Sequence, residues 1–518
     1  MTVNNVIYGT AGDDDIVTGS GNDTIYGNGG FDIIDAGDGN NVVYGGSDTD
    51  VITTGSGNDT IYGNGGGDLI DAGDGNNLVF GGSDTDVITT GSGNDTIYGN
   101  GGGDVIDAGD GNNLVFGGAE NDNIVSGSGN DTIFGNGGND GIDAGDGNNL
   151  IFGGAQTDVI FAGSGNDTIF GNGGNDFIDA GNGNNLIFGG SQSEQIAAGS
   201  GNDTIFGNGG GDIIDAGDGN NLIFGGAETD NIAAGSGNDT IFGNGGGDII
   251  DAGDGNNLIF GGAETDNLFA GSGNDTIFGN GGGDIIDAGD GNNLIFGGAE
   301  ADEITAGSGN DTIFGNGGDD VIEAGDGNNL IFGGSGTEEI RSGSGNDTIF
   351  GNGGNDGIFA GGGDNLIFGG SGTEVIFTGS GNDTIFGNGG DDSIAAGDGD
   401  NLIFGGSGAD TIITGSGNDT IFANGGNDVI LTGSGLDTVW LGSGTASVFL
   451  EAGDGFATIN NFQLGQTTLV LGAGLSASDL SFTNGANGVQ ISAGGDLLAV
   501  VSWNQASTFE ANRNSIFV

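Results

Sequence analysis

An aliphatic side chain returns at every ninth position for most of this chain. Ile25, Ile34, Val43 and Ile52 begin one run, and each is flanked by residues of different character, as in Thr24-Ile25-Tyr26 and Ile33-Ile34-Asp35. Alternation over three residues predicts a short strand whose middle side chain faces inward and whose neighbours face out. Six residues rich in Gly, Asn and Asp separate successive strands. They predict a turn, because Gly tolerates positive φ and Asn and Asp support local turns. One nonamer is therefore one strand and one turn, and two nonamers close a coil of eighteen residues. The frame runs from Gly9 to Phe449, 49 nonamers without a slip. A single inserted residue would turn every later side chain to the wrong face, so the frame itself is the structure. About 25 coils at the ~4.8 Å strand spacing predict a rod on the order of 120 Å long.

A second period overlies the first. Four nonamer types make a unit of thirty-six residues: Thr18–Tyr26 (TGSGNDTIY), Gly27–Asp35 (GNGGFDIID), Ala36–Tyr44 (AGDGNNVVY) and Gly45–Thr53 (GGSDTDVIT). First- and third-type turns stack on one edge of the solenoid, second- and fourth-type turns on the other. Ninth positions of first- and third-type nonamers are aromatic from Tyr26, Tyr44 and Tyr62 to Phe422 and Trp440. They flank the inward eighth position and so point out, which predicts a long apolar face suited to contact between copies of the chain. The opposite face carries Asp35, Asp71 and Asp107.

Charge changes the picture most. Of 518 residues 74 are acidic and only Arg341 and Arg513 are basic, a net charge of −72 with no Lys, His, Cys or Pro. Such a chain repels nucleic acid and anionic membrane surfaces, and its self-repulsion opposes compaction unless cations neutralise it. The absence of Cys excludes a disulfide scaffold and thiolate metal sites. No segment is long and apolar enough to insert in a membrane. The N-terminal MTVNNVIYG has neither the basic region nor the apolar core of a Sec signal peptide. Catalysis of the polysaccharide lyase or epimerase kind is not expected, since the usual Lys, His or Arg groups are absent or isolated and the acids repeat along the chain.

The pattern Gly-Gly-x-Gly-x-Asp-x-aliphatic-x resembles the calcium-binding nonapeptide repeats of RTX, or haemolysin-type, proteins. The near repeat-only layout also resembles oscillin-like cyanobacterial cell-surface proteins. The resemblance implies an all-β fold, a right-handed parallel β-roll solenoid with Ca²⁺ between successive turns. It further implies sixth-position carboxylates as ligands beside backbone carbonyls, consistent with the all-oxygen preference of Ca²⁺. In first-type nonamers these are Asp23, Asp59, Asp95, Asp131, Asp167, Asp203, Asp239, Asp275, Asp311, Asp347, Asp383 and Asp419. In second-type nonamers they are Asp32, Asp68, Asp104, Asp140, Asp176, Asp212, Asp248, Asp284, Asp320, Asp356, Asp392 and Asp428. Fourth-type nonamers supply Asp14, Asp50, Asp86, Asp122, Asp158, Asp230, Asp266, Asp302 and Asp410.

Two departures stand out. Third-type nonamers place Asn41, Asn77 and Asn113 at the sixth position, so one edge alternates charged and neutral side chains. Most fourth-type nonamers replace the fourth-position Gly, as at Asp48, Glu120, Gln156 and Glu264, which puts their turn geometry in question. Glycine turns are therefore expected to make occupancy more regular on the first edge. The recurrent Asn22-Asp23-Thr24 also matches a glycosylation acceptor, but the repeat already accounts for it.

Domain organisation follows from where the frame stops. Residues 1–450 form the calcium-binding β-roll. Residues 451–518, with ATINNFQLGQTTLVLG, LSFTNG, GVQISAG and DLLAVVSW, read as a small β-rich cap. By resemblance this segment carries a type I secretion signal, which places the protein outside the cell. The expected role is a structural protein of a surface layer or extracellular filament. The alternative is an adhesin or matrix-binding rod with surface polysaccharide as partner.

Overall fold

The computed structural model describes residues 3–453 and 455–518. Two compact units emerge, one ending at Ala263 and one beginning at Glu264. In the first, strands run from Val6–Tyr8 to Leu258–Gly262, and five-residue strands such as Thr24–Asn28 alternate with three-residue strands such as Ile33–Asp35. Every strand pairs in parallel with the one a full coil away. Ile25 lies beside Val43 on one face and Ile34 beside Ile52 on the other. The second unit repeats the arrangement, with Ile277 beside Ile295 and Ile286 beside Ile304. Each unit is thus a parallel β-solenoid. The uniform eighteen-residue offset is what the unbroken nonamer frame requires.

The core is thin and regular. Eighth-position residues such as Ile25, Ile61, Ile97 and Ile205 are fully buried, and third-type first positions such as Ala36 and Ala72 fill the space beside them. Each buried Ile contributes about 1.5–3 kcal/mol relative to exposure. The inward strand positions of the sequence pattern are therefore the actual core.

Turns follow local chemistry. The second residue of each second-type nonamer, from Asn28 to Asn424, sits at φ between 66° and 81°. Asn is the residue besides Gly that visits this left-handed region readily, so its recurrence there needs no special strain.

The aromatic ladder does point outward, but it covers itself. Rings from Tyr8 to Phe260 stack nearly parallel at 4.8–4.9 Å. From Tyr26 to Phe260 only ring edges meet solvent and the side chains are half-buried, while the first ring, Tyr8, is exposed. Past Val17 the most exposed apolar side chains of the first unit lie on the opposite face, where Ile33, Leu69 and Ile213 are 46%, 48% and 53% exposed. The expectation of one apolar and one acidic face is corrected accordingly: the second face interleaves aliphatic residues with Asp35, Asp71 and Asp215.

Within the second unit, parallel pairing continues past Leu450. Gly455–Asn460 pairs with Gly435–Trp440, and Thr467–Leu471 with Ser443–Leu450. Leu480–Asn484, Gly488–Ala493 and Asp496–Ser502 then form an antiparallel sheet. Two short helices, Ala506–Ala511 and Arg513–Ile516, bury Phe509 and Ile516. Phe462, Phe482, Phe509 and Phe517 form a cluster with ring centroids 5.1–6.1 Å apart. Arg513 lies over the Phe482 ring at 4.8 Å and donates to the Ala477 carbonyl.

Candidate metal centre

Sixth-position carboxylates do two things at once. The first oxygen ties coils together. Asp32 Oδ1 accepts the main-chain N–H of Asp14 at 2.8 Å, Asp50 Oδ1 that of Asp32 at 2.9 Å, and Asp68 Oδ1 that of Asp50 at 2.8 Å. The second oxygen is buried and unpartnered at Asp32, Asp50, Asp68, Asp86, Asp104, Asp122, Asp140, Asp158 and Asp176 in the first unit, and at Asp284, Asp302, Asp320, Asp356, Asp392 and Asp410 in the second. A buried carboxylate oxygen without a donor is costly, so a row of them marks a place for a compensating charge.

Glycine shapes the space these oxygens face. On this edge the nonamers from Gly9 to Gly405 open with Gly, and the last two open with Ala423 and Leu441. A Cβ at Gly45 would sit 2.6 Å from Asp50 Oδ2 and 3.0 Å from the Gly63 carbonyl oxygen. A Cβ at Gly171 would sit 2.6 Å from the Gly189 carbonyl oxygen and 2.7 Å from Asp176 Oδ2. A carboxylate oxygen and a carbonyl oxygen of the next coil therefore converge on space that only Gly leaves open. Two acceptors facing one another repel unless something positive lies between them. The donors are hard oxygens, which suits Ca²⁺, and the coil geometry tolerates its flexible coordination better than the strict octahedron of Mg²⁺. Bound there, the ion would supply the positive charge that these carboxylates lack.

The electrostatics agree. Burial pushes the carboxyls of Asp68, Asp104, Asp158, Asp230, Asp284 and Asp302 up to about 7, with neighbouring carboxylates adding to the rise. Main-chain N–H donors oppose the shift but do not cancel it. No lysine or histidine exists to pair with them. Arg341 is occupied by Glu323 and Glu339, and Arg513 by Glu510.

The other edge is built differently. Asp59 Oδ1 accepts the Asn41 N–H at 2.6 Å, and its second oxygen is again buried and unpartnered, as at Asp95, Asp167 and Asp203. Here, however, the first position carries a side chain: Thr54, Thr90, Ser126, or Ala from Ala144 to Ala324. Ser126 donates to Asp131 Oδ2 at 2.8 Å, so that carboxylate is satisfied. The Asn turns of this edge satisfy themselves as well. Asn41 Oδ1 accepts the Asp23 N–H at 3.0 Å while its Nδ2 donates to the carbonyls of Gly37 and Gly39, each at 3.0 Å.

Fourth-type turns keep their form despite losing a glycine. At three of them the replacement side chain becomes a cap. Asp48 and Asp84 accept the N–H of Gly30 and Gly66 at 2.9 and 3.0 Å, and Gln156 that of Gly138 at 3.1 Å.

Among the described residues no three acidic side chains gather around one point. That follows from the fold, because each coil brings at most one sixth-position carboxylate to each edge. Further ligands must be backbone carbonyls. Asp14 is the least enclosed candidate, and its Oδ2 accepts the Thr10 N–H at 2.5 Å. Three further carboxylates belong with the set. Glu194, Glu338 and Glu374 hold sixth positions, are buried, and have both oxygens unpartnered. Burial first, and Asp212, Asp356 and Asp392 second, push them strongly upward. Only their extra methylene departs from the Asp pattern, and the nonamer frame locates them.

The family model of the RTX calcium-binding nonapeptide repeat matches successive segments from 4–25 and 17–52 through to 404–439. The chain belongs to that family, and it is a calcium-binding repeat protein. No curated protein matches it significantly. Proteins with these repeats are generally exported, and no helix of the described residues is long and apolar enough to cross a membrane.

Proposed function

We propose that this is an exported structural protein that folds on Ca²⁺ outside the cell and assembles into a surface layer or filament. The observation that carries the reading is the row of buried, unpartnered carboxylate oxygens in a chain with two basic residues. Without a multivalent cation, burying them opposes folding. With one, each coil gains a cross-link to the next. At cytosolic calcium levels the chain stays unfolded and exportable, and metal binding supplies folding free energy once it is outside. Sixth-position acids such as Asp23, Asp32 and Asp50 hold the ion in this reading, with residues 1–450 as the calcium-binding β-roll and 451–518 as cap and type I secretion region. Repetition of one ligand set along the chain is the chemistry of a scaffold, and no enzymatic role is proposed.

Assembly is assigned to the outward faces. Side chains held in one register along stacked coils offer weak contacts that add. The test has two stages. Circular dichroism in chelator and in millimolar Ca²⁺ should show disorder and then β structure; a full β spectrum in chelator would refute calcium-driven folding. Electron microscopy of the calcium-loaded protein should show ordered assemblies. Replacing Phe188, Phe206, Phe224 and Phe242 together with Ser should abolish them while calcium still induces folding. Undiminished assembly of that variant would place the contact elsewhere. Binding of soluble protein to surface polysaccharide, without self-assembly, would favour an adhesin.

A further inference from the structure

Asparagine holds the sixth position in every third-type nonamer from Asn41 to Asn401. Its Oδ1 behaves as an aspartate Oδ1 does, accepting a main-chain N–H from the preceding coil. At Asn149 that donor is Asp131, at 3.0 Å. The difference lies in the other terminal atom. Asn149 Nδ2 donates to the carbonyls of Gly145, Gly147 and Ala162 at 3.3, 3.3 and 3.2 Å. Asn185 Nδ2 reaches Gly181, Gly183 and Ala198 at 3.3, 3.4 and 3.2 Å. Asn221 Nδ2 reaches Gly217, Gly219 and Ala234 at 3.2, 3.5 and 3.2 Å. In each case two oxygens belong to its own turn and one to the following coil. The amide orientation is fixed by this network, since exchanging Oδ1 and Nδ2 would set an acceptor against three carbonyls and a donor against an N–H.

A carbonyl-lined gap between consecutive coils is what a hard cation would occupy. Here it holds an NH₂ group carrying partial positive charge. At aspartate turns the equivalent atom is an unpartnered carboxylate oxygen, as at Asp167 and Asp203. The two edges also differ at the first position. Gly leaves the space open on the second- and fourth-type edge from Gly9 to Gly405, while Ala, Ser or Thr fills it on the first- and third-type edge.

We infer that the asparagine amide takes the place of the calcium ion at third-type turns. The edge of first- and third-type turns then binds calcium at no more than alternate turns, and the glycine-fronted edge binds it at successive turns. This rests on the calcium reading above. It reverses the expectation that the first edge would be the more regularly occupied.

The experiment counts calcium per full-length chain by atomic emission after equilibration in millimolar Ca²⁺ and removal of free ion. The combined variant Asn149→Asp, Asn185→Asp and Asn221→Asp, with Ala144→Gly, Ala180→Gly and Ala216→Gly to open the space in front of each new carboxylate, should bind three more ions than the parent. Its β structure should also require a higher calcium concentration to appear, because three satisfied turns have become anionic. The converse variant, Asp104→Asn and Asp176→Asn, should bind two fewer ions and still fold with calcium. A crystal of the parent measured at long wavelength should show anomalous peaks beside Asp104 and Asp176 and none inside the turns of Asn149, Asn185 and Asn221. Peaks inside those asparagine turns, or an unchanged count in a folded Asn→Asp variant, would overturn the inference and leave calcium-driven folding intact. A parent that binds no calcium would overturn the underlying reading instead.

Discussion

Adding one methyl group should remove one ion. Gly171 opens a second-type nonamer and carries no ligand side chain, yet its missing Cβ is what keeps the space in front of Asp176 clear. A Cβ built there lies 2.6 Å from the Gly189 carbonyl oxygen and 2.7 Å from Asp176 Oδ2. Non-bonded contact with carbon begins near ~3.5 Å, so both oxygens must withdraw by about 0.8–0.9 Å. The Ca–O distance ranges over only about 0.3 Å, from ~2.3 to ~2.6 Å, so a withdrawal of that size takes both oxygens out of reach of a shared ion. Overpacking alone costs about 1–3 kcal/mol, local to the coils on either side. The Gly171→Ala protein should therefore fold in calcium, bind one ion fewer, and need more calcium to reach half-folding. The control is Ala180→Gly, which removes a methyl at the first position of the other edge and should leave the count unchanged. Calcium per chain by atomic emission, beside a dichroism titration, reads both. A Gly171→Ala protein with the full complement of ions would refute the argument that this glycine's open side is the metal space.

Two further outcomes follow from the same geometry. In chelator, carboxyls such as Asp68 and Asp104, raised to about 7 by burial, bind protons more tightly in the folded than in the unfolded chain. A raised folded pKa gives stability that is complete below the unfolded value near ~3.9 and is lost as pH rises through about 7, so acidification from pH 8 to 5 without calcium should recover β structure; a dichroism signal flat across that range would contradict it. Replacing the fully buried Ile223 with Ala should cost about 2–5 kcal/mol, and hydrogen exchange should speed up in Leu222–Gly226 and in its partners Thr204–Asn208 and Thr240–Asn244, whereas uniform loss of protection would mean that coils do not act as nearest-neighbour units.

Much of this architecture was legible because the repeat has one meaning per position. Ile25 and Ile34 could only face inward once an unbroken frame fixed the register, and Asp32 and Asp50 had to stack once two nonamers made a coil. Less legible was what side-chain termini do after stacking. Spacing treats Asn41 and Asp59 as equivalent, and only coil-to-coil distance shows Nδ2 meeting carbonyls where Oδ2 meets nothing. Exposure of the aromatic ladder was overestimated because ring thickness and strand spacing nearly coincide, which lets Phe206 and Phe224 cover each other at 4.9 Å. The apolar end of the tail, Ile516, Phe517 and Val518, is what the sequence offers for a secretion signal, but Ile516 and Phe517 are buried, Phe517 beside Phe482 and Phe509.

The ladder has an optical consequence. All five tyrosines, Tyr8, Tyr26, Tyr44, Tyr62 and Tyr98, fall in the first unit, and both tryptophans, Trp440 and Trp503, in the second. Tyr8, Tyr26, Tyr44 and Tyr62 stack at 4.8–4.9 Å, close enough for their transitions to couple into an excitonic band that an extended chain lacks. Trp440 stacks over Phe422 at 6.1 Å, so its emission changes when the last coils close. Followed separately, the tyrosine excitonic band and the tryptophan emission clock opposite ends of one polypeptide, and the order in which they respond to a calcium jump gives the direction in which coils wind, with no label attached.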